Sequence, residues 1–157
     1  MEAKVTWQGG MAFEATATTG FKVVMDSSAE AGGQNSGFRP TELLAMGTLG
    51  CTGMDVISIL RKKKVDFTGF EVRVIVQSAS EHPHVFTDMA FEYIVTGRSI
   101  NRKDVERAVE LSETKYCQCI AMMSKTANIS SIITIRELEW ASAHFPFFAC
   151  VNSVSRD

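Results

Sequence analysis

A chain of 157 residues is long enough for one domain with its own core and short for more than one. Its apolar share of 45%, charged share of 22% and net charge of −2 are those of a soluble globular protein and predict no nucleic-acid partner. The one basic run, at residues 61–64, is expected at the end of a helix, where cations complement the helix dipole. The chain begins without the apolar core of a signal peptide, and no apolar run predicts a membrane span. We therefore expect a cytoplasmic protein, in whose reducing compartment the four cysteines form no structural disulfide framework.

The first forty residues predict short antiparallel strands. Apolar and polar residues alternate at 4–8, 11–17 and 21–25, and glycines separate the three runs. The small and polar segment that follows, at 27–37, predicts a mobile loop. An antiparallel meander followed by a loop is therefore expected before the first helix.

Pro40 begins the longest predicted element, a helix over about 41–63. Its apolar side chains go nearly all the way round, which is typical of a helix buried on most sides. Gly47, Gly50 and Gly53 would each cost roughly 1 kcal/mol relative to alanine in a helix interior. We therefore expect another backbone to approach closely, and a second copy of this helix across a dimer axis would provide one.

The second half of the chain predicts the remaining elements of an α+β domain. Two strands, at 70–76 and 85–95, are joined by a polar turn. A capped helix at about 101–116 and a short second helix at 117–125 follow, and a last strand at 131–138 returns to the sheet. Beyond residue 140 the regular pattern ends, although an aromatic cluster continues. We predict one domain at 1–140 and an extension of unknown role at 141–157.

Cys51 lies halfway along the long helix, between Gly50 and Thr52. A free cysteine in such a place is often only a small apolar side chain of the core. A reactive thiol needs a lowered pKa, because the thiolate is the nucleophile. In the middle of a helix Cys51 cannot use a helix N-terminus, so we expect an Arg, Lys or His from elsewhere in the fold. Asp55, one turn further on, would oppose ionisation if it pointed the same way.

Cys117 and Cys119 lie at the predicted junction between two helices. A C-x-C pair can hold a metal, but no His or Cys follows at the accompanying spacing, so no metal and no cofactor is expected. A resolving thiol is the better functional interpretation, because a sulfenic acid condenses with a nearby thiol.

The order of elements and two motifs resemble the OsmC-like family, which includes osmotically induced peroxidases and organic hydroperoxide resistance proteins. The resemblance extends over about 1–140. The first and most specific motif consists of FRPTELL at 38–44 and GCTGMDVISIL at 50–60. The second motif consists of LS at 111–112 and KYC at 115–117.

The resemblance implies an OsmC-like fold, in which an antiparallel sheet surrounds a long buried central helix within an intertwined homodimer. Each site would lie at the subunit interface. It also implies that Cys51 is the peroxidatic thiol and Cys117 the resolving thiol. Cys51 would attack the O–O bond of an organic hydroperoxide, Cys117 would condense with the sulfenic acid, and an external dithiol would reduce the disulfide.

The sequence departs from the family pattern beside Pro40. Family peroxidases carry a glutamate directly after this proline, where it helps to hold an activating arginine; here that position is Thr41, and the glutamate is Glu42. The family arginine of the N-terminal region has no match. We therefore predict that Arg39 activates the thiol with Glu42 as its partner. Cys119 replaces a residue that is usually aliphatic and is expected to fill the core.

Together these observations predict a thiol-dependent peroxidase that reduces organic hydroperoxides. The alternative is a redox sensor without turnover, or a small-molecule binding protein, on the same scaffold; the missing glutamate and arginine favour it. A thioesterase-like hot-dog fold also wraps antiparallel strands around a long helix. It would leave both thiols unused and offers only Glu42 and Asp55 as helix carboxylates.

Overall fold

A computed structural model describes residues 1–138 of the protein. The predicted extension at 141–157, and with it the end of the predicted domain at 139–140, lies outside the described residues. The elements in chain order are β1 (Ala3–Gly9), β2 (Ala12–Ala17), β3 (Lys22–Met25), α1 (Pro40–Lys62), β4 (Phe67–Ser78), β5 (Phe86–Gly97), α2 (Arg102–Leu111), α3 (Gln118–Met123) and β6 (Asn128–Glu137).

The N-terminal sheet is the predicted antiparallel meander, with strand order β1-β2-β3. Its register places Val5 opposite Ala15 and Trp7 opposite Phe13, so one face is apolar and the other is polar. The apolar face is open in the single chain, and the Trp7 side chain is 64% exposed. Three short strands with an uncovered apolar face need another surface to stabilise them.

Helix α1 begins at Pro40 and ends at Lys62, close to the predicted bounds. The expected burial on most sides is not seen within one chain: a single stripe is buried, formed by Thr48, Thr52, Val56 and Leu60 at four-residue spacing together with Gly53. The opposite side is open, and Met54 is 74% exposed. A second copy of the chain, which the sequence predicts beside this helix, could cover the open side.

The glycines of α1 divide between these two sides. Nothing lies within 4 Å of a Cβ placed on Gly47 or Gly50, whereas one on Gly53 would meet the Phe70 ring at 3.4 Å. The close backbone approach expected at all three positions is therefore absent within the described residues of one chain.

Helix α1 is also long and apolar enough, by length and composition, to cross a bilayer, which the sequence analysis did not expect. It packs against β4, α2 and α3 through its buried stripe. The core helices of soluble proteins commonly pass the same test of length and composition.

The second sheet has strand order β4-β5-β6 and is mixed. β4 and β5 form the predicted antiparallel hairpin, but β6 runs parallel to β5, so the expectation of a fully antiparallel sheet is wrong. The chain between β5 and β6 crosses over through α2 and α3, and a crossover of this length is what a parallel pair requires. This sheet and α1 enclose the core, which includes Val56, Leu60, Met89, Phe91, Tyr93, Val95, Val105 and Ala108.

The crossover contains the turn that positions the second thiol. Asn101 caps α2, because its side chain accepts a hydrogen bond from the Lys103 N–H at 3.0 Å. A π-helical turn over Ser112–Tyr116 then closes with the Cys117 N–H donating to the Ser112 carbonyl at 2.9 Å. The wider turn presents both Ser112 and Cys117 to α1; π turns are often found at functional sites.

Candidate functional site

Two thiols and a carboxylate meet beside the middle of α1. The sulfur atoms of Cys51 and Cys117 and a carboxylate oxygen of Asp55 all lie within 4.8 Å of one another. Cys51 and Asp55 are one turn apart on α1, and Cys117 is the N-cap residue of α3. The structure thus brings together the two cysteines that the sequence places 66 positions apart, although their catalytic roles stay predictions.

Several hydrogen bonds favour the thiolate form of Cys51. Partial burial is the largest single influence and raises the pKa of the thiol, and the negative charge of Asp55 also raises it. Hydrogen bonds from the Cys119 backbone N–H and from the thiols of Cys117 and Cys119 act in the opposite direction and prevail. The pKa of Cys51 is therefore lowered from its ordinary value, and a larger fraction of it is ionised at neutral pH.

Cys117 has the opposite character. Its side chain is only 2% exposed, and burial raises the pKa of its thiol to about 12. The Ile120 backbone N–H donates to the Cys117 sulfur at 3.4 Å and opposes this rise in the pKa, whereas the neighbouring Cys51 contributes to it. Of the two thiols, Cys51 is thus the one that ionises and Cys117 the one that keeps its proton.

Cys119 takes part in the site, a position that the sequence analysis assigned only to core filling. It does pack against the core, but its backbone N–H and its thiol both act to lower the pKa of Cys51. Cys51 cannot use the N-terminus of its own helix α1, but it lies beside the N-terminus of α3. The first N–H groups of a helix lack partners within it, and residue 119 occupies the first turn of α3. The C-x-C spacing directly after a helix break is the sequence feature that could have indicated a role for Cys119 in the site.

Arg39 and Glu42 lie away from the thiols. The Arg39 guanidinium donates to the Asp26 carbonyl at 2.9 Å, to the Gly37 carbonyl at 3.4 Å and to the Asn35 side-chain oxygen. Glu42 accepts from the backbone N–H of Arg39 at 2.8 Å and so caps α1. At 1.5 Å per residue, the twelve positions from 39 to 51 separate Arg39 from the thiol by about 18 Å along the helix. Within one chain the Arg39–Glu42 pair therefore does not reach Cys51, and activation of the thiol by this pair stays a prediction.

The segment 27–37, predicted as a mobile loop, is organised around Asp26. The carboxylate accepts from the backbone N–H groups of Ser27, Gln34 and Ser36 at 2.7, 2.9 and 3.0 Å and from the Ser36 hydroxyl at 2.8 Å. The bonds from Ser36 and Gln34 are the main reason why the pKa of Asp26 is far below its ordinary value. The same loop holds the Arg39 guanidinium, which explains why that side chain turns away from α1.

The thiol cluster also has the donor atoms of a site for a thiophilic metal. Sequence spacing gave Cys117 no further ligand, but the fold places Cys51 and Asp55 beside it. Thiolates suit Zn²⁺ or Cu⁺, and the two sulfurs with one carboxylate oxygen would supply three ligands of a tetrahedral set. The same closeness is what disulfide formation requires, so the geometry permits both kinds of chemistry.

Comparison with known proteins gives matches over most of the chain. Residues 33–131 match the family model described as OsmC-like protein. Protein YhfA of Escherichia coli K12 is 36% identical over 133 residues, which cover 83% of this chain and 94% of that relative.

Two solved structures share the fold. The organic hydroperoxide resistance protein OsmC of Legionella pneumophila has a TM-score of 0.64 at 16% identity and covers 85% of this chain and 95% of its own. OhrB of Bacillus subtilis, also an organic hydroperoxide resistance protein, has a TM-score of 0.58 at 19% identity, over 85% and 98% of the two chains. Together with the family model and the sequence identity to YhfA, these matches show that the chain belongs to the OsmC-like family, whose members are known for hydroperoxide resistance.

Proposed function

We propose that the protein is a thiol-dependent peroxidase that reduces organic hydroperoxides through Cys51 and Cys117. One observation carries the proposal: two thiols within 4.8 Å of each other have pKa values shifted in opposite directions. An attacking thiol has to be ionised and reachable, whereas a resolving thiol is best kept protonated until a sulfenic acid forms. Cys51 fits the first description and the buried Cys117 fits the second.

The reaction is balanced over three steps. The Cys51 thiolate attacks the O–O bond and takes up one oxygen as a sulfenic acid, while the departing alkoxide gains a proton and leaves as an alcohol. The Cys117 thiol then condenses with the sulfenic acid to give a disulfide and water. An external dithiol reduces that disulfide and is itself oxidised, which returns Cys117 to the thiol and Cys51 to the thiolate with release of one proton.

The surroundings of Cys51 favour an alkyl hydroperoxide over hydrogen peroxide. Leu44 and Met54 lie on the same side of α1 as Cys51, about two turns before it and one turn after it. Their side chains are 52% and 74% exposed, so they offer an open apolar surface beside the thiol. Burial of an alkyl group there would stabilise the bound peroxide by roughly 0.8 kcal/mol per CH₂.

We further propose that the protein acts as an intertwined homodimer in the cytoplasm, with a cytosolic dithiol as reductant. The open side of α1 and the open apolar face of β1–β3 are both surfaces that a second copy could cover. A site completed at that interface could also receive a cation from the partner, which would lower the pKa of Cys51 further.

The test is turnover with cumene hydroperoxide or t-butyl hydroperoxide in the presence of dithiothreitol. We expect consumption well above the thiol blank, loss of that consumption in Cys51→Ser, and a trappable sulfenic acid in Cys117→Ser. Wild-type protein that consumes either peroxide no faster than the blank would contradict the proposal.

A redox sensor or small-molecule binding protein on the same scaffold is the second candidate. The observation in its favour is that, within the described residues of one chain, hydrogen bonds alone lower the pKa of Cys51 while Arg39 is held by the Asp26 loop. Titration of Cys51 with a thiol reagent separates the two functions. A thiol pKa at or above the free value of about 8.5 favours the sensor or binding protein.

A further inference from the structure

A row of buried hydroxyl groups leads away from the thiol pocket through the core. Asp55 accepts from the Ser112 hydroxyl at 3.2 Å, and Ser112 lies 2.9 Å from the Thr52 hydroxyl. Thr52 in turn lies 2.7 Å from the Tyr93 hydroxyl, which contacts Glu113 at 3.2 Å. The hydroxyl residues Thr52, Tyr93 and Ser112 are 0% exposed.

The two ends of the row have different surroundings. Asp55 is within 4.8 Å of the sulfurs of Cys51 and Cys117. Glu113 is half-buried, and its second carboxyl oxygen accepts from the hydroxyl of Ser131, an exposed residue of β6. The row therefore connects the thiol pocket on one side of α1 with the solvent-facing edge of the second sheet.

A count of protons shows that the row is complete only with one additional proton. Four hydrogen bonds link the two carboxyl groups through three hydroxyls, and each hydroxyl has one proton to donate. With both carboxyl groups ionised, one of the four links has no proton. One proton on either carboxyl group fills every link, and reversing all four bonds moves that proton from one end to the other.

We propose that this row is a proton path that exchanges one proton between Glu113 and Asp55 during the thiol reaction. The inference rests on the proposed function for its role, but the shared proton is a property of the resting protein. We assign the shared proton to Glu113 in the resting protein, because its half-buried surroundings raise its pKa and so favour the protonated form. Burial also raises the pKa of Tyr93, so Tyr93 passes the proton on and does not ionise.

The path meets the proton requirement of each step. When the Cys51 thiolate cleaves the O–O bond, the alkoxide takes a proton from Asp55, and the row refills Asp55 from Glu113. The attacked oxygen and the departing oxygen are bonded to each other in the peroxide, so a Cys51 sulfur and an Asp55 carboxylate oxygen within 4.8 Å can reach one each. When a dithiol later reduces the disulfide, the proton released as Cys51 returns to the thiolate travels back to Glu113.

A purely structural role is the alternative for these hydroxyls, because buried polar groups are normally paired. Among the described residues every buried side-chain nitrogen or oxygen has a hydrogen-bond partner, so pairing by itself does not distinguish this row. The distinguishing features are the carboxyl group at each end and the shortage of one proton. A structural role predicts effects on stability, whereas a proton path predicts effects on proton transfer.

The first experiment detects the shared proton in the resting protein, so it does not depend on turnover. The infrared spectrum of the reduced protein at neutral pH is expected to show a protonated carboxylic acid that Glu113→Gln removes. Glu110→Gln is the matched control, because Glu110 is an exposed carboxylate of α2 paired with Arg107 at 2.8 Å, and it should leave that band unchanged. A spectrum without such a band overturns the proposal, whether or not the protein reduces hydroperoxides.

The second arm measures transfer along the path with two variants of one residue. Thr52→Val keeps the side-chain shape without the hydroxyl, and Thr52→Ser keeps the hydroxyl. In single-turnover oxidation by cumene hydroperoxide, we expect Thr52→Val to be at least ~10-fold slower, with a changed solvent isotope effect, and Thr52→Ser to remain near wild type. A loss of ~10-fold is below the roughly 100-fold low end of general-acid effects, because Asp55 itself stays in place. Thermal unfolding scans show which variants are folded.

A Thr52→Val protein that is folded, has an unchanged Cys51 titration and reacts at the wild-type rate contradicts the path. A wild-type protein that does not react at all contradicts the proposed function instead, and the infrared arm then decides the path.

Discussion

Residues 1–39 and residues 40–138 are held in place by different interactions. The second region has an apolar core, in which Met89, Tyr93 and Val95 are 0% exposed. In the first region, all of which is described, the one buried residue is the charged Asp26. The N-terminal region is therefore ordered by hydrogen bonds to a carboxylate, while its apolar face is left uncovered. A region of this kind depends on a surface from outside itself for its hydrophobic stabilisation.

The two regions also contribute different groups to the chemistry of the site. Both thiols and the donors that lower the pKa of Cys51 belong to the second region, whereas the guanidinium of Arg39 is bound by the loop of the first. One chain thus holds Cys51 and the cation predicted to activate it in separate regions. Hydrogen bonds are therefore enough to lower the pKa of Cys51 within one chain, and we propose that further activation comes from a second copy.

The largest effect is expected from a charge on the open face of the first region. Trp7→Glu would place a carboxylate in the surface that we propose to be covered by a second copy. Burial of a large apolar side chain contributes roughly 1.5–3 kcal/mol, so its loss together with the cost of a buried charge should weaken the dimer by at least about 100-fold. Sedimentation velocity measures this. Thr6→Glu, on the polar face of the same strand, is the control; equal dissociation in both variants, or a monomeric wild type, would rule out this interface.

Removal of the Asp26 charge is the next test, because it acts on the only buried residue of the first region. Asp26→Asn loses the anion that three backbone N–H groups approach, so we expect a lower Tm at neutral pH. The folded pKa of Asp26 is below its ordinary value of 3.8, so its stabilisation is present above that pH and is lost as the pH falls towards the folded pKa. The Tm values of wild type and variant should therefore converge in acid. Glu30→Gln, an exposed change in the same loop, should leave Tm unchanged, and a similar fall in both variants would argue against a specific role of Asp26.

A smaller effect with an informative sign is expected from Gly47→Ala on the open side of α1. On an uncovered helix face alanine stabilises by about 1 kcal/mol relative to glycine. If a second helix approaches as we propose, the added Cβ meets it, and the variant should instead be less stable. Chemical denaturation measures the difference. Gly53→Ala is the comparison, because its Cβ would meet Phe70 and Val72 at 3.4 and 3.6 Å, which are ordinary contact distances, within the same chain. A clear gain in stability for Gly47→Ala would count against helix–helix contact.

The sequence predicts the elements of both regions because their signals are local. Alternation specifies the strands, Pro40 specifies the start of α1, and the two motifs that surround Cys51 and Cys117 specify the thiols. The direction of β6 was missed because alternation along a strand says which face is buried and nothing about which neighbour it pairs with. The partial burial of α1 was missed for a similar reason. Periodicity indicates which sides of a helix are apolar, but it does not indicate whether the same chain or a second copy covers them.

The sequence did not predict the polar contacts that set the chemistry. Arg39 turns towards the Asp26 loop because backbone carbonyl groups of that loop are its acceptors, and no side-chain pattern encodes a carbonyl. The row from Asp55 to Glu113 combines residues from α1, β5 and the π turn. Its members are common surface or core residue types when each is taken alone, so only the fold identifies them.

The smallest effect is expected at Cys119, where the second region adjusts the thiol that it already holds. The Cys119 backbone N–H and thiol both lower the pKa of Cys51, and only the thiol can be removed by substitution. Cys119→Val should therefore slow the alkylation of Cys51 by iodoacetamide at neutral pH by roughly two- to ten-fold, which corresponds to one neutral hydrogen bond. Cys119→Ser keeps a donor and should stay close to wild type. The backbone N–H remains in both variants, so neither should return Cys51 to the reactivity of a free thiol. A Cys119→Val protein with unchanged alkylation across the pH range would show that the backbone N–H and Cys117 are sufficient, and that Cys119 only fills the core as its sequence context suggested.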